Sequence, residues 1–221
     1  MIYVPGLSLT YYPVPKCGCT TMRAALIDWA RRERGFSHPK QELPHQVLSS
    51  VASYVLDRDS KKFPPDELVS KPGVSLAIVR DPAERMLSAY RDKVCREDEY
   101  LNVTKRRSPG LAKRVKPGDS FEKVASAALW LLENEPSTID THWQPQTFEI
   151  PVEVEVKFVP LFGDAPLQER LATAHAPLAE LKLEKRRFFG SHSKKEQVPN
   201  SLMDRIQRVF ADDYARFGHL L

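Results

Sequence analysis

The run Val74–Val79, VSLAIV, is apolar along nearly its whole length and stops at a charged residue, Arg80. Runs of this kind suit a strand buried on both faces of a parallel sheet. Asp81 is a good helix N-cap and Pro82 a good first helical residue. Met86, Leu87, Tyr90 and Val94 then mark one buried helical face. The same order occurs earlier in the chain. Leu7, Leu9 and Tyr11 alternate with Ser8, Thr10 and Tyr12, which predicts a strand ended by Val14-Pro15. PKCGCTT, residues 15–21, follows as a turn, and Met22, Ala25, Leu26 and Trp29 then recur at helical spacing in a helix reaching about Arg34.

Further on, Phe121, Val124, Ala125, Ala128 and Leu132 predict a helix capped by Asp119 or Ser120. Val152, Val154, Val156 and Phe158 alternate with Glu153, Glu155 and Lys157, which predicts another strand. A short helix is expected after Pro166, and a final one from about Pro199 to Phe217. The stretch 35–72 is less legible, with a helical piece expected around His45–Leu56. Strands alternating with helices predict an α/β fold with a mostly parallel central sheet flanked by helices. The chain of 221 residues suits a single domain over 1–221, with a basic loop inserted at about 99–119.

Charge and composition narrow the function classes. The net charge of +4 is too mild to imply a nucleic-acid partner. The positive residues are unevenly placed: Lys105, Arg106, Arg107, Lys113, Arg114 and Lys116 fall in one loop, and Lys182, Lys185, Arg186 and Arg187 form a second cluster. Solvated loops and an electrostatic lure for an anionic partner both fit this pattern. No stretch approaches 18 apolar residues, so no membrane span is expected. The start lacks a basic segment followed by an apolar run, so a cytoplasmic location is expected. The three cysteines, Cys17, Cys19 and Cys95, argue against a disulfide framework and lack a second pair at zinc-ligand spacing; no metal is expected.

Two segments carry chemistry. A turn between a strand and a helix N-terminus points backbone N–H groups and the positive end of the helix dipole at a phosphate. In PKCGCTT, Gly18 allows close backbone approach, Thr20 and Thr21 add hydroxyl donors, and Lys16 adds a full charge beside Cys17 and Cys19. A tight turn with a helix cap fits the same residues. The spacing is not that of a GxxxxGK[ST] triphosphatase loop, since the lysine precedes the glycine. In RDPAERMLSAYRDK, residues 80–93, Arg80 leaves a buried strand and Ser88 lies two turns into the following helix. The pair suits an anion, and an ion pair of Arg80 with Asp81 or Glu84 fits as well. Two anion sites at two strand ends suit a nucleotide with separated phosphates.

PKCGCTT resembles the 5′-phosphosulfate loop of sulfotransferases that use 3′-phosphoadenosine 5′-phosphosulfate (PAPS), and RDPAERMLSAYRDK resembles their 3′-phosphate motif. DTHWQPQ, residues 140–146, is similar to a segment of the family 2 carbohydrate sulfotransferases, and so is the ending DDYARFGH. The resemblance runs from about residue 8 to 219 and implies a P-loop-like three-layer fold, PAPS as co-substrate with PAP as product, and no metal. It further implies a hydroxyl acceptor, with a carbohydrate expected. The sequence is shorter than those of the Golgi enzymes and no membrane anchor like theirs is expected, which leaves the acceptor open.

On this reading Lys16 meets the charge that grows on the leaving phosphate, and Cys17 to Thr21 cradle it. Arg80 and Ser88 hold the 3′-phosphate. A histidine is the natural base near neutral pH. Among His38, His45, His142, His175, His192 and His219, His142 is favoured for its polar loop, with Trp143 beside it to stack on a sugar or to anchor the core. His45, between the two donor motifs, is the runner-up. His192, Ser193, Lys194 and Lys195 form either a nucleotide cover or a solvated loop. Two other readings are a Mg-ATP-dependent small-molecule kinase with a diverged phosphate loop and a non-catalytic module that grips anionic glycans.

Overall fold

A computed structural model of the chain describes residues 1–33, 73–183 and 198–221. The chain divides into two compact units, Met1–Val79 with Glu149–Phe188, and Arg80–Phe148 with Phe189–Leu221.

The first unit holds a four-stranded sheet in the order β1-β2-β3-β4. β1 (Ile2–Val4) runs antiparallel to β2 (Leu9–Tyr12). β2 is parallel to β3 (Val74–Val79), with Leu9 opposite Val74 and Tyr12 opposite Ala77. β3 is parallel to β4 (Lys157–Pro160), with Leu76 opposite Lys157 and Val79 opposite Pro160. Leu76 through Val79 are all buried, as a strand covered on both faces must be. The chain enters β3 through Gly73, whose φ of +129° is open to glycine alone. A Cβ there would lie 2.1 Å from the Ser8 carbonyl oxygen, the same oxygen that accepts the Val74 N–H at 2.9 Å. The first rung of the β2–β3 ladder therefore depends on that glycine.

Helices flank this sheet. α1 (Cys19–Glu33) buries Met22, Ala25, Leu26, Ile27 and Trp29, and the Trp29 indole N–H donates to Glu180. α4 (Leu167–Ala174), which follows α2 (Pro82–Lys93) and α3 (Phe121–Asn134) of the second unit in the chain, packs on β4. Arg170 ties it there, donating to the carbonyls of Pro160 and Leu161 at 2.9 Å each. The architecture is thus mixed α/β with a mostly parallel sheet, as the strand–helix alternation predicts.

The second unit is helical in its described residues. α2 (Pro82–Lys93) starts at the Asp81 cap, whose carboxylate accepts the Glu84 N–H. α3 (Phe121–Asn134) starts at Ser120, which caps through the Lys123 N–H. α5 (Asn200–Val209) and α6 (Ala211–Phe217) close the chain. Met86, Leu87, Tyr90, Phe121, Leu131, Trp143, Ile206 and Phe210 form its core. Tyr90 and Phe121 meet edge to face, with ring centroids 5.5 Å apart.

Four sequence expectations need correction. The first strand spans Leu9–Tyr12 rather than beginning at Leu7, and all four of its residues are buried, so its alternation does not mark an exposed face. The strand expected over Val152–Phe158 begins only at Lys157. In the β3–β4 register Val74 would stand opposite Glu155, so Val152 falls before β3 begins and is exposed. The expected basic loop is wound into short helical turns at Glu97–Glu99, Tyr100–Thr104, Lys105–Arg107 and Pro109–Ala112. Two buried hydroxyls anchor them: Tyr100 donates to the Val115 carbonyl at 2.6 Å and Thr104 to the Lys93 carbonyl at 2.7 Å. The single final helix is broken at Phe210, which leaves helical geometry to bury its ring completely. The helical piece expected at His45–Leu56 lies outside the described residues.

Candidate active site

The PKCGCTT turn joins β2 to α1 in the first unit. Lys16 and Gly18 both take left-handed backbone conformations, φ +68° and +75°. The first is uncommon for a residue with a Cβ. A Cβ on Gly18 would lie 2.9 Å from the Leu161 side chain, just past the end of β4. The turn therefore lies at the carboxyl end of the parallel strands, where ligands of open α/β sheets bind. Cys17 is fully buried and its N–H donates to the Val14 carbonyl. The Gly18 carbonyl accepts the Met22 N–H at 3.0 Å, which opens α1. The N–H groups of Cys19, Thr20 and Thr21 thus form a first turn, where a helix has no internal acceptors. Thr20, Thr21 and Lys16 are all partly exposed. Beside them stands Tyr11, fully buried on β2, a residue the motif reading passed over. Burial pushes its hydroxyl pKa up, and Cys19 and Cys17 add to this against the opposing charge of Arg23.

Arg80 follows β3 in the chain and opens the second unit. Its guanidinium pairs with Glu84 at 3.0 Å, so the ion pair allowed by the sequence does form. Ser88 lies partly exposed on α2. The Arg80 backbone is clamped. Gln146 accepts the Arg80 N–H on Oε1 at 3.0 Å and donates from Nε2 to the Arg80 carbonyl at 2.8 Å. Asp213, fully buried on α6, accepts the Gln146 N–H at 2.9 Å, its Nε2 at 3.2 Å and the Thr147 N–H at 2.9 Å. Tyr214 donates to the Asp81 carboxylate at 3.1 Å. Burial raises the Tyr214 pKa, and the charges of Asp81 and Asp213 raise it further. The spacing of Arg80 and Ser88 flagged the motif. Gln146 and Asp213 lie inside quoted segments, but nothing local marks their roles.

The DTHW turn also belongs to the second unit. His142 keeps a side chain 21% exposed, and its Nδ1 contacts the Asp140 carboxylate. Burial pushes the Asp140 carboxyl up, but the hydrogen bonds and charge of His142, with the charge of Arg107, together hold it below the usual range. Trp143 is a correction. Its ring is 1% exposed within the helical core, so it has no face to offer a sugar and serves as the core anchor. His175 bonds the Leu7 carbonyl, and His219 is exposed near the C-terminus. His45, with His38 and the segment His192–Lys195, lies outside the described residues. Among the described residues no group of three or more His, Cys, Asp or Glu side chains is arranged to hold a metal, and no helix is long and apolar enough to cross a membrane.

A mostly parallel four-stranded sheet flanked by helices, with a glycine turn leading from the carboxyl end of β2 into α1, defines a mixed α/β protein. The sequence model of the sulfotransferase family matches residues 1–219, and the chain belongs to that family. No curated protein and no solved structure matches it.

Proposed function

We propose that the protein transfers a sulfuryl group from PAPS to an acceptor hydroxyl, with a carbohydrate as the acceptor class, on a P-loop-like fold. The family match over residues 1–219 carries this reading. The left-handed turn at Lys16 and Gly18, ahead of a 15-residue helix, supports it as a cradle for the 5′ end of the donor. Cys17 to Thr21 line that cradle. Arg80 and Ser88 take the 3′-phosphate, and the Gln146 clamp fixes the Arg80 backbone for that task.

Sulfuryl transfer is an in-line displacement akin to phosphoryl transfer, so the protein acts by positioning and charge stabilisation. The hydroxyl oxygen forms a bond to sulfur while the bond from sulfur to the 5′-phosphate oxygen breaks. The leaving oxygen keeps the electron pair, and Lys16 with the first-turn N–H groups stabilises it. His142 takes the hydroxyl proton. His45 is the alternative base, and separate His142→Ala and His45→Ala variants distinguish them by turnover.

Thermal shift provides the binding test. Selective stabilisation by PAP, the desulfated product, supports the proposal. Stabilisation by ATP with Mg²⁺ alone, or by an anionic glycan alone, rejects it in favour of a kinase or a glycan-binding module. Incubation with labelled PAPS and a panel of acceptors then reads the activity as added sulfate.

A further inference from the structure

The turn that carries His142 is held from several directions. The hydroxyl of Ser108, 1% exposed, accepts the Asp140 N–H at 3.0 Å. Arg85 is fully buried; one terminal nitrogen donates to the Gln144 carbonyl at 2.6 Å and the other to the Thr141 carbonyl at 2.8 Å. The Gln144 side chain donates to the Ile139 carbonyl at 2.9 Å, and Trp143 fills the core beneath. A buried guanidinium whose two arms grip carbonyls on either side of one histidine is an unusual investment for a surface loop. It suits a group that must not move, since a catalytic side chain depends on the packing and hydrogen bonds behind it.

Within this frame Asp140 Oδ1 accepts the His142 backbone N–H at 2.9 Å and also meets Nδ1 of the ring. An ionised carboxylate only accepts hydrogen bonds. Nδ1 must therefore carry the ring proton, and the lone pair of the neutral imidazole sits on Nε2. We propose that Asp140 is the positioning residue of an Asp140–His142 pair: it fixes the tautomer whose Nε2 takes the acceptor hydroxyl proton, and it stabilises the imidazolium that results. This rests on the reading of His142 as the base. In the step the hydroxyl O–H bond breaks, its proton passes to Nε2, and its electron pair forms the new bond to sulfur. The imidazolium returns the proton to solvent after the sulfated product leaves.

The tautomer is directly measurable by ¹⁵N NMR of the histidine rings in the intact protein, with His142→Gln identifying the signal. In the neutral ring, the expected spectrum has Nδ1 protonated and Nε2 bare; a wild-type ring protonated on Nε2 overturns the proposal without any variant. Asp140→Asn keeps an oxygen that can accept both the His142 N–H and Nδ1–H but removes the negative charge behind the ring. It is expected to lower kcat by roughly 10²-fold or more through lost stabilisation of the imidazolium, leaving the PAP-induced thermal shift unchanged. Asp140→Glu is expected to recover part of the loss. An inactive His142→Ala beside a fully active Asp140→Asn rejects the role of Asp140 alone, whereas normal turnover by His142→Ala rejects the base assignment together with it.

Discussion

Replacing Asp213 by Asn tests whether α6 holds the Arg80 segment in place. The carboxylate is fully buried and accepts three N–H groups: Oδ2 takes both Gln146 donors and Oδ1 takes Thr147. Asn offers one acceptor oxygen. In its better orientation that oxygen keeps the two Gln146 bonds, and the amide nitrogen then faces the Thr147 N–H, a donor against a donor at about the 2.9 Å now spanned by a hydrogen bond. One charge-assisted bond is lost and one half-buried N–H faces another donor, a cost of about 3 kcal/mol. For a chain of 221 residues that lowers Tm by about 6–12 °C. Urea titration supplies the free energy, and an unchanged slope shows that the same surface unfolds. The functional consequence follows through Gln146, whose side chain brackets the Arg80 N–H and carbonyl. PAP affinity is expected to fall, while that of adenosine 5′-phosphosulfate, which lacks the 3′-phosphate, stays the same. A variant within about 0.5 kcal/mol of wild type, the ordinary range of surface substitutions, refutes the reasoning.

Three further outcomes follow from particular residues. Lys16→Ala is expected to lose roughly 10²–10³-fold in turnover with the fold intact by circular dichroism, as when one stabiliser of a leaving charge is removed; near-normal turnover rejects that role. Gly73→Ala sets a Cβ 2.1 Å from the Ser8 carbonyl oxygen at a φ of +129°, so β3 cannot dock as it does, and the soluble yield should collapse, while Gly218→Ala, at an ordinary φ with no atom nearer its Cβ than 3.6 Å, stays soluble. Burial raises the Asp140 carboxyl, but the hydrogen bonds and charge of His142 hold it below its ordinary value in the folded protein. Its contribution is therefore fully present above that value and is lost as pH falls through the lower folded one. Acid titration of stability should accordingly be shallower below about pH 4 in Asp140→Asn than in wild type.

Local patterns in the sequence carry the strand–turn–helix units. The VSLAIV run, the Asp81 cap with Pro82, the glycine of PKCGCTT and the apolar face of α3 all depend on residues within a few positions of one another. Period and capping chemistry report such neighbours directly, so the α/β character and the strand–turn–helix junctions were legible from the sequence. The role of Trp143 was not legible, because an aromatic residue in a polar loop is equally suited to a ligand and to a core. Only the helices packed around it, with its exposure reduced to 1%, decide the matter. The same holds for the polar groups that organise the second unit. Gln146 finds Arg80 across 66 positions, Asp213 finds Gln146 across 67, and Arg85 reaches Thr141 and Gln144 across more than 50. A buried donor or acceptor must be satisfied by whatever the fold brings beside it, and sequence periodicity carries no record of such distant neighbours.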